Sequence, residues 1–145
     1  MRLEDCFEKG LLRRRRPDLL KVRRAMEIAR MDSDRAKRLM DKEFYMESTL
    51  FCYTGMFQGA RALLFKDGIF ERSHVCVIEY LKEHYVRNHI LGVNYLSWLD
   101  SMRIDRHEAL YGLEVREVSR EEAKESLRRA SEFVGEIEDR LKEKK

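Results

Sequence analysis

Apolar residues recur along most of this chain at intervals of three and four, the spacing that gathers them on one side of an α-helix. Between Pro17 and Lys42 the apolar or small positions Val22, Met26, Ala29, Ser33, Ala36 and Met40 form one such stripe. Pro17 is placed to open that helix, because a first-turn residue needs no N–H. The segment from Phe44 to Lys66 differs. Met46, Leu50, Phe51, Cys52, Tyr53, Met56, Phe57, Ala60, Leu63, Leu64 and Phe65 leave it almost no polar side, the pattern of a helix buried by neighbours all round. Asp67-Gly68 supplies its stop, since glycine adopts the left-handed conformation freely. Ser73 can cap a third helix running to about Asn88, with Val77, Ile78, Leu81 and Tyr85 turned inward. Gly92 breaks the chain, a fourth helix is predicted from Val93 to Tyr111, and Gly112 ends it. Ser119-Arg120-Glu121-Glu122 is a capping box, serine at the cap and glutamate three residues on. It opens a last helix whose Ala123, Leu127, Ala130, Val134, Ile137 and Leu141 share a face.

Five helical segments with short connections predict one all-α domain, an antiparallel up-down helical bundle with a four-helix core and an additional helix. Residues 1–16 are set apart as a basic N-terminal segment, with a turn or two of helix around Asp5-Cys6-Phe7 ended by Gly10. Residues 17–145 are then the bundle. A length of 145 residues suits a single domain whose core is large enough to need no disulfide or metal. One proline and seven glycines are too few turn residues for a many-stranded sandwich or barrel. No stretch approaches the roughly 20 apolar residues of a membrane span. The first residues carry acids and lack the apolar run of a secretory leader, so a soluble, cytoplasmic protein with no membrane partner is expected.

Thirty Lys and Arg against 27 Asp and Glu leave a net charge of +3, too small by itself to argue for a nucleic-acid partner. The distribution adds more. Arg13 to Arg16 form a basic block, with Arg23 and Arg24 beyond it, which is either a phosphate-contacting arm or a solvated segment. Cys6, Cys52 and Cys76 are odd in number and lack Cys-x-x-Cys spacing, so neither a zinc site nor a disulfide framework can be read from them. Cys52 and Cys76 sit in apolar runs as small hydrophobes. His74, His84, His89 and His107 form no paired metal-ligand motif, and no metal or cofactor is expected.

The fourth helix holds the residue that breaks the pattern. Tyr95, Leu99, Met102, Ala109, Leu110 and Leu113 share one apolar arc, and Arg106 falls at its middle. An arginine cannot shed its charge, so it must pair with a carboxylate, reach out to water, or face a cleft that admits an anion. Arg103, His107 and Tyr111 lie around it. One reading is a phosphate or RNA site, arginine for the anion with an imidazole and a phenol to move protons. The other is a structural arginine paired with an acid of a neighbouring helix. Arg61 and Gln58 raise the same question in the apolar segment, where an acid of the first helix is the expected partner of Arg61. His74, just inside the third helix, reads as a capping or packing residue or as part of a site.

Several stretches, in order, resemble the HEPN domains (higher eukaryotes and prokaryotes nucleotide-binding), in particular their small stand-alone prokaryotic forms. Cys6 to Asp18, CFEKGLLRRRRPD, resembles the family's leader of glutamate-lysine-glycine-leucine, basic run and proline-aspartate. Phe51 to Leu64, FCYTGMFQGARALL, resembles the family's A-Y-Y-A-M-F-H-A-A-R-A-L-L helix. Lys66-Asp67-Gly68 and Ser73-His74 are similar to its K-x-G and S/T-H connection, and Ser119 to Ala123 to the start of its closing helix. Arg106 to Gly112 stands in the place of the family's arginine–histidine motif.

The resemblance implies a four-helix core with an extra helix, and a homodimer in which the arginine motifs of two subunits face a shared cleft. It implies RNA or a nucleotide as ligand. Some members are metal-independent ribonucleases, among them toxins held in check by a minimal nucleotidyltransferase; others are non-catalytic dimeric interaction modules. Carried onto this chain, it makes Arg106, His107 and Tyr111 the catalytic candidates and Arg103, Arg61 and His74 the binding candidates. Three positions depart from the family's pattern. Tyr111 stands where the motif has histidine, with four residues between it and Arg106, and a phenol with a pKa of about 10 is a weak general base at neutral pH. His107 stands where asparagine is common, and Gln58 replaces the histidine of the apolar helix.

Overall fold

A computed structural model describes residues 1–143. Its helices are α1 (Leu3–Glu8), α2 (Leu19–Asp41), α3 (Tyr45–Lys66), α4 (His74–Leu81), α5 (Val93–Tyr111) and α6 (Arg120–Lys142). The chain forms the all-α bundle expected from its periodicity. The apolar segment becomes α3, which packs against α2, α4, α5 and α6, and the largest sealed side chains include Tyr53, Met56, Leu63 and Leu64 from this one helix. α2 and α3 touch along most of their length. Gly55 permits this, since a Cβ there would lie 3.2 Å from the Ala29 carbonyl oxygen. No helix among the described residues is long and apolar enough to cross a membrane.

The helix ends follow the local chemistry with two corrections. Ser73 and Ser119 cap α4 and α6 as expected, their hydroxyls accepting from the Cys76 and Glu122 amides at 3.3 and 3.1 Å. Pro17 does not open α2. The Asp18 carboxylate caps it instead, accepting from the Lys21 amide at 3.1 Å, and leaves the proline outside the helix. The third helix runs to within two residues of its expected end, but its α part stops at Leu81 and widens into a π turn over Lys82–Val86. A wider turn brings residues five apart toward one side. Tyr80 and Tyr85, five apart, both donate to Asp67 Oδ2, at 3.0 and 2.7 Å.

The N-terminal segment adds a feature outside the helical pattern. β1 (Leu12–Arg14) pairs antiparallel with β2 (Ile69–Glu71), with Leu12 opposite Glu71 and Arg14 opposite Ile69. Gly68 makes the turn into β2 at φ +76°, its carbonyl accepting from the Arg15 amide at 2.7 Å. Arg13 to Arg16 stay exposed and form no ion pair among the described residues. Cys6 and Cys76 form a disulfide, which corrects the expectation of unpaired thiols. They are 70 residues apart and meet because α1 packs on α4, bringing their Cα atoms to 5.8 Å, a normal disulfide spacing. Cys52 remains free and sealed; burial pushes its thiol up to about 12, so it stays protonated and unreactive.

Two stability outcomes follow. Reducing the disulfide should lower unfolding free energy by about 2–4 kcal/mol, because a cross-link over so long a loop restricts the unfolded chain. Urea unfolding with and without reductant checks this, against a Cys6→Ser variant that should be indifferent to reductant. Gly68→Ala should cost at least about 1–2 kcal/mol, since the left-handed conformation penalises a side chain. Its Cβ would also fall 2.3 Å from the Arg15 carbonyl oxygen. Thermal unfolding of that variant gives the measurement.

Candidate functional site

α5 begins after Gly92 and turns Leu96, Leu99 and Met102 into the core. The predicted apolar arc holds over this first half only. Leu96 joins it and Tyr95 is half-buried, whereas Leu110 is 46% exposed and Leu113, beyond the helix, is fully exposed. The bundle does not cover the last turns of α5, and Ile104, Leu110, Tyr111, Leu113 and Val115 stand open.

Arg106 marks the change from buried to open helix. It is half-buried, with its guanidinium carbon 5.8 Å from the centre of the Tyr53 ring on α3. Every other half-buried arginine among the described residues has an acidic partner. Arg35 has Asp32, Arg61 has Glu71, Arg103 has Asp100, Arg129 has Glu125 and Arg140 has Glu136. Arg106 has none. The two acids lining its crevice, Asp105 and Glu122, are engaged with Arg116 and with the Ser119 amide. The ion pair with another helix is therefore not formed. The guanidinium is thus held beside an aromatic face, half-buried and without an acidic partner among the described residues.

Beside it lies a second group that the sequence only partly announces. Tyr53 is 1% exposed, and its hydroxyl sits 2.6 Å from His74 Nδ1. His74 is the first residue of α4, and its ring stacks on Phe57 with centroids 3.8 Å apart and planes 10° from parallel. Burial first, then the charges of Arg106, Arg103 and Arg61, hold the imidazole below its usual range, so it is neutral at pH 7. Burial raises the Tyr53 phenol well above its ordinary value, against the pull of Arg106 and Arg103. The phenol stays protonated.

Of the residues singled out from the sequence, Arg106, Arg103, Arg61 and His74 converge. Arg103 bonds Asp100 at 2.9 Å, and Arg61 bonds Glu71 at 2.5 Å and Gln58 at 3.2 Å. The acid that holds Arg61 thus comes from β2 rather than from the first long helix. His107 and Tyr111 lie elsewhere. Their rings are 5.1 Å apart on the open side of α5, and Tyr111 is 65% exposed. The helix is unbroken to Tyr111, which sets it about 140° around the axis from Arg106. Within one chain the three do not meet.

Two groups escaped the sequence reading. Tyr53 reads as plain core, yet a tyrosine at a sealed position needs a hydrogen-bond partner, and that requirement was the available signal. Asp32 is buried on α2 and bonds Arg35 at 3.2 Å; nothing in the helical spacing marks it. Among the described residues no group of three His, Cys, Asp or Glu is placed to hold a metal ion.

The family model described as "HEPN domain" matches residues 22–140. No curated protein matches the sequence closely enough to count as a relative. With most of its length matched, helical bundle included, the chain belongs to the HEPN domain family, and its function is of the nucleotide- or RNA-binding type.

Proposed function

We propose that this protein binds the phosphate of RNA or of a nucleotide at Arg106, and that two copies of the chain form the working unit. The observation that carries the reading is the missing counter-charge. Arg106 is the one half-buried arginine without an acidic partner among the described residues, and a phosphate would supply what it lacks. The dimer draws support from the open apolar residues at the end of α5, which a second copy would cover. A partner's α5 would also bring a His107–Tyr111 pair toward an Arg106 that cannot reach its own.

In such a cleft Arg106 neutralises the phosphate, and His107 and Tyr111 orient the ribose or transfer protons. Metal-independent cleavage of RNA is the activity to test, with the 2′-oxygen attacking phosphorus, the 5′-oxygen leaving and a 2′,3′-cyclic phosphate formed. A minimal nucleotidyltransferase belongs to the same proposal as a protein partner, Tyr111 being an exposed phenol that such an enzyme can reach.

A second reading is a non-catalytic interaction module whose α5 end docks a protein. Ile104, Leu110, Leu113 and Val115 favour it, because apolar side chains in such number are seldom left in water.

Arg106→Ala should weaken binding of a short RNA by at least about tenfold, since hydrogen bonds to charged groups are strong, while leaving thermal unfolding nearly unchanged. Fluorescence anisotropy at fixed salt measures it. Equal affinity in a folded Arg106→Ala protein would refute the phosphate site. Cleavage in the presence of a chelator, present in wild type and lost in Arg106→Ala, would make the protein a ribonuclease; binding without cleavage would favour the module. Leu110→Asp should convert dimer to monomer in sedimentation, and a wild type that is monomeric at all concentrations would remove the shared cleft.

A further inference from the structure

We infer that His74 is a second arm of the Arg106 phosphate site: the Tyr53 hydroxyl locks its imidazole in one tautomer, so that its Nε2 hydrogen is presented to the anion that Arg106 neutralises. The inference rests on the Arg106 reading and adds to it a residue on a different helix, within the same chain.

The lock follows from burial. A hydroxyl as sealed as that of Tyr53 must have a hydrogen-bond partner, and the protein supplies His74 Nδ1 at 2.6 Å. The phenol keeps its proton and donates it, so Nδ1 is the acceptor and the ring proton resides on Nε2. Nε2 itself has no protein partner. His74 is half-buried rather than sealed, and its Nε2 is not among the solvent-sealed side-chain atoms that lack a partner. Phe57 covers one face of the ring and fixes its plane.

The charges select the ligand. His74 faces Arg103 and Arg106 from α5 and Arg61 from α3, with Asp100 and Glu71 as the acids bound to Arg103 and Arg61. A protonated imidazole would be repelled there, whereas a neutral one donates a hydrogen bond without adding charge. Neutral donor and free guanidinium together fit a phosphate oxygen and exclude a cation. A phosphodiester of a nucleic-acid backbone and a terminal phosphate of a mononucleotide share this chemistry.

The anion also fixes the sign of the pH dependence. It offsets the three guanidiniums, so the imidazole's pKa is higher in the complex than in the free protein. Affinity is therefore at its base level where both forms are neutral and rises as pH falls through the complex's pKa.

The test is NMR of the full chain with 15N-labelled histidine. Two probes are titrated, the thymidine dinucleotide with one phosphodiester and thymidine 5′-monophosphate. Neither can be cleaved through a 2′-hydroxyl, and the diester does not titrate near neutrality. The expected results are the Nε2–H tautomer for His74 at pH 7 and a shift of Nε2 on saturation. A loss of about tenfold in affinity is expected in His74→Phe, and a rise in affinity on acidification that His74→Phe abolishes. Tyr53→Phe should mix the tautomers. The double variant Tyr53→Phe/His74→Phe leaves no orphaned hydroxyl and keeps the stack on Phe57, and serves if the single variant fails to fold.

Tighter binding of the diester assigns the site to a nucleic-acid backbone, and tighter binding of the monophosphate to a terminal phosphate; both support the inference. An Nδ1–H tautomer overturns it, as does binding lost in Arg106→Ala but unchanged in the His74 variants; the Arg106 reading then stands alone. Binding that needs His74 and not Arg106 sinks the Arg106 reading and the shared site with it. No binding of either probe by wild type overturns both.

Discussion

A helix as apolar as α3 exists in water only if other elements cover it on every side, and that requirement organises the molecule. α2 and α6 pack against it most extensively, and α5 and α4 also touch it, α4 through His74 at Tyr53 and Phe57. Enclosure has a second consequence. The sealed polar groups of α3, on Ser48 and Tyr53, must find partners inside the bundle. Ser48 does so through the backbone of α2, donating to the Ala36 carbonyl at 2.7 Å. Tyr53 does so through a side chain rather than a backbone carbonyl. It takes a side chain from another helix, and the residue it takes is His74. The candidate site thus begins as a solution to a packing problem on the central helix.

Charge separates the site from the rest of the surface. Most ion pairs here are exposed and close a single helical turn, as Arg87 with Glu83 and Arg128 with Glu125 do, and such pairs contribute little to stability. The arginines near α3 matter more because they are partly desolvated. Two of three have been neutralised, Arg61 by Glu71 and Arg103 by Asp100, and the third has not. Arg106 has no acidic partner among the described residues. It lies instead beside the Tyr53 ring, in a cation–aromatic contact.

The parts of this fold legible in the sequence are those set by local chemistry or by long periodicity. Val93–Tyr111 was readable because glycines bracket it, and α6 because Ser119 and Glu122 form a capping box. The parts that were not legible depend on contacts distant in sequence. Three-residue strands carry no usable alternation, so β1 and β2 are found only through their pairing. Cys6 and Cys76 give no spacing signal across 70 residues. The apolar arc of α5 overreached for a related reason. Periodicity shows which residues could be buried together, but not where the covering helices stop. Arg106 stood out as an anomaly, yet whether an acid met it depended on the fold.

α4 shows how such distant contacts serve the site. It is short, and eight residues of helix are marginal alone. It is nevertheless held at several points. Ser73 caps its start, the disulfide at Cys76 ties it to α1, and Tyr80 and Tyr85, brought to one side by the π turn, anchor its end to Asp67. Asp67 in turn closes α3, the helix that carries Tyr53 and Phe57. Both partners of His74 and the backbone that bears it therefore belong to one braced unit. A side chain between such fixed points has little conformational freedom left to lose when a ligand arrives, and a site built this way binds with less entropic cost than one on a free loop. The helix read from sequence by its Ser73 cap and its inward apolar face is thus the element that holds the imidazole in place.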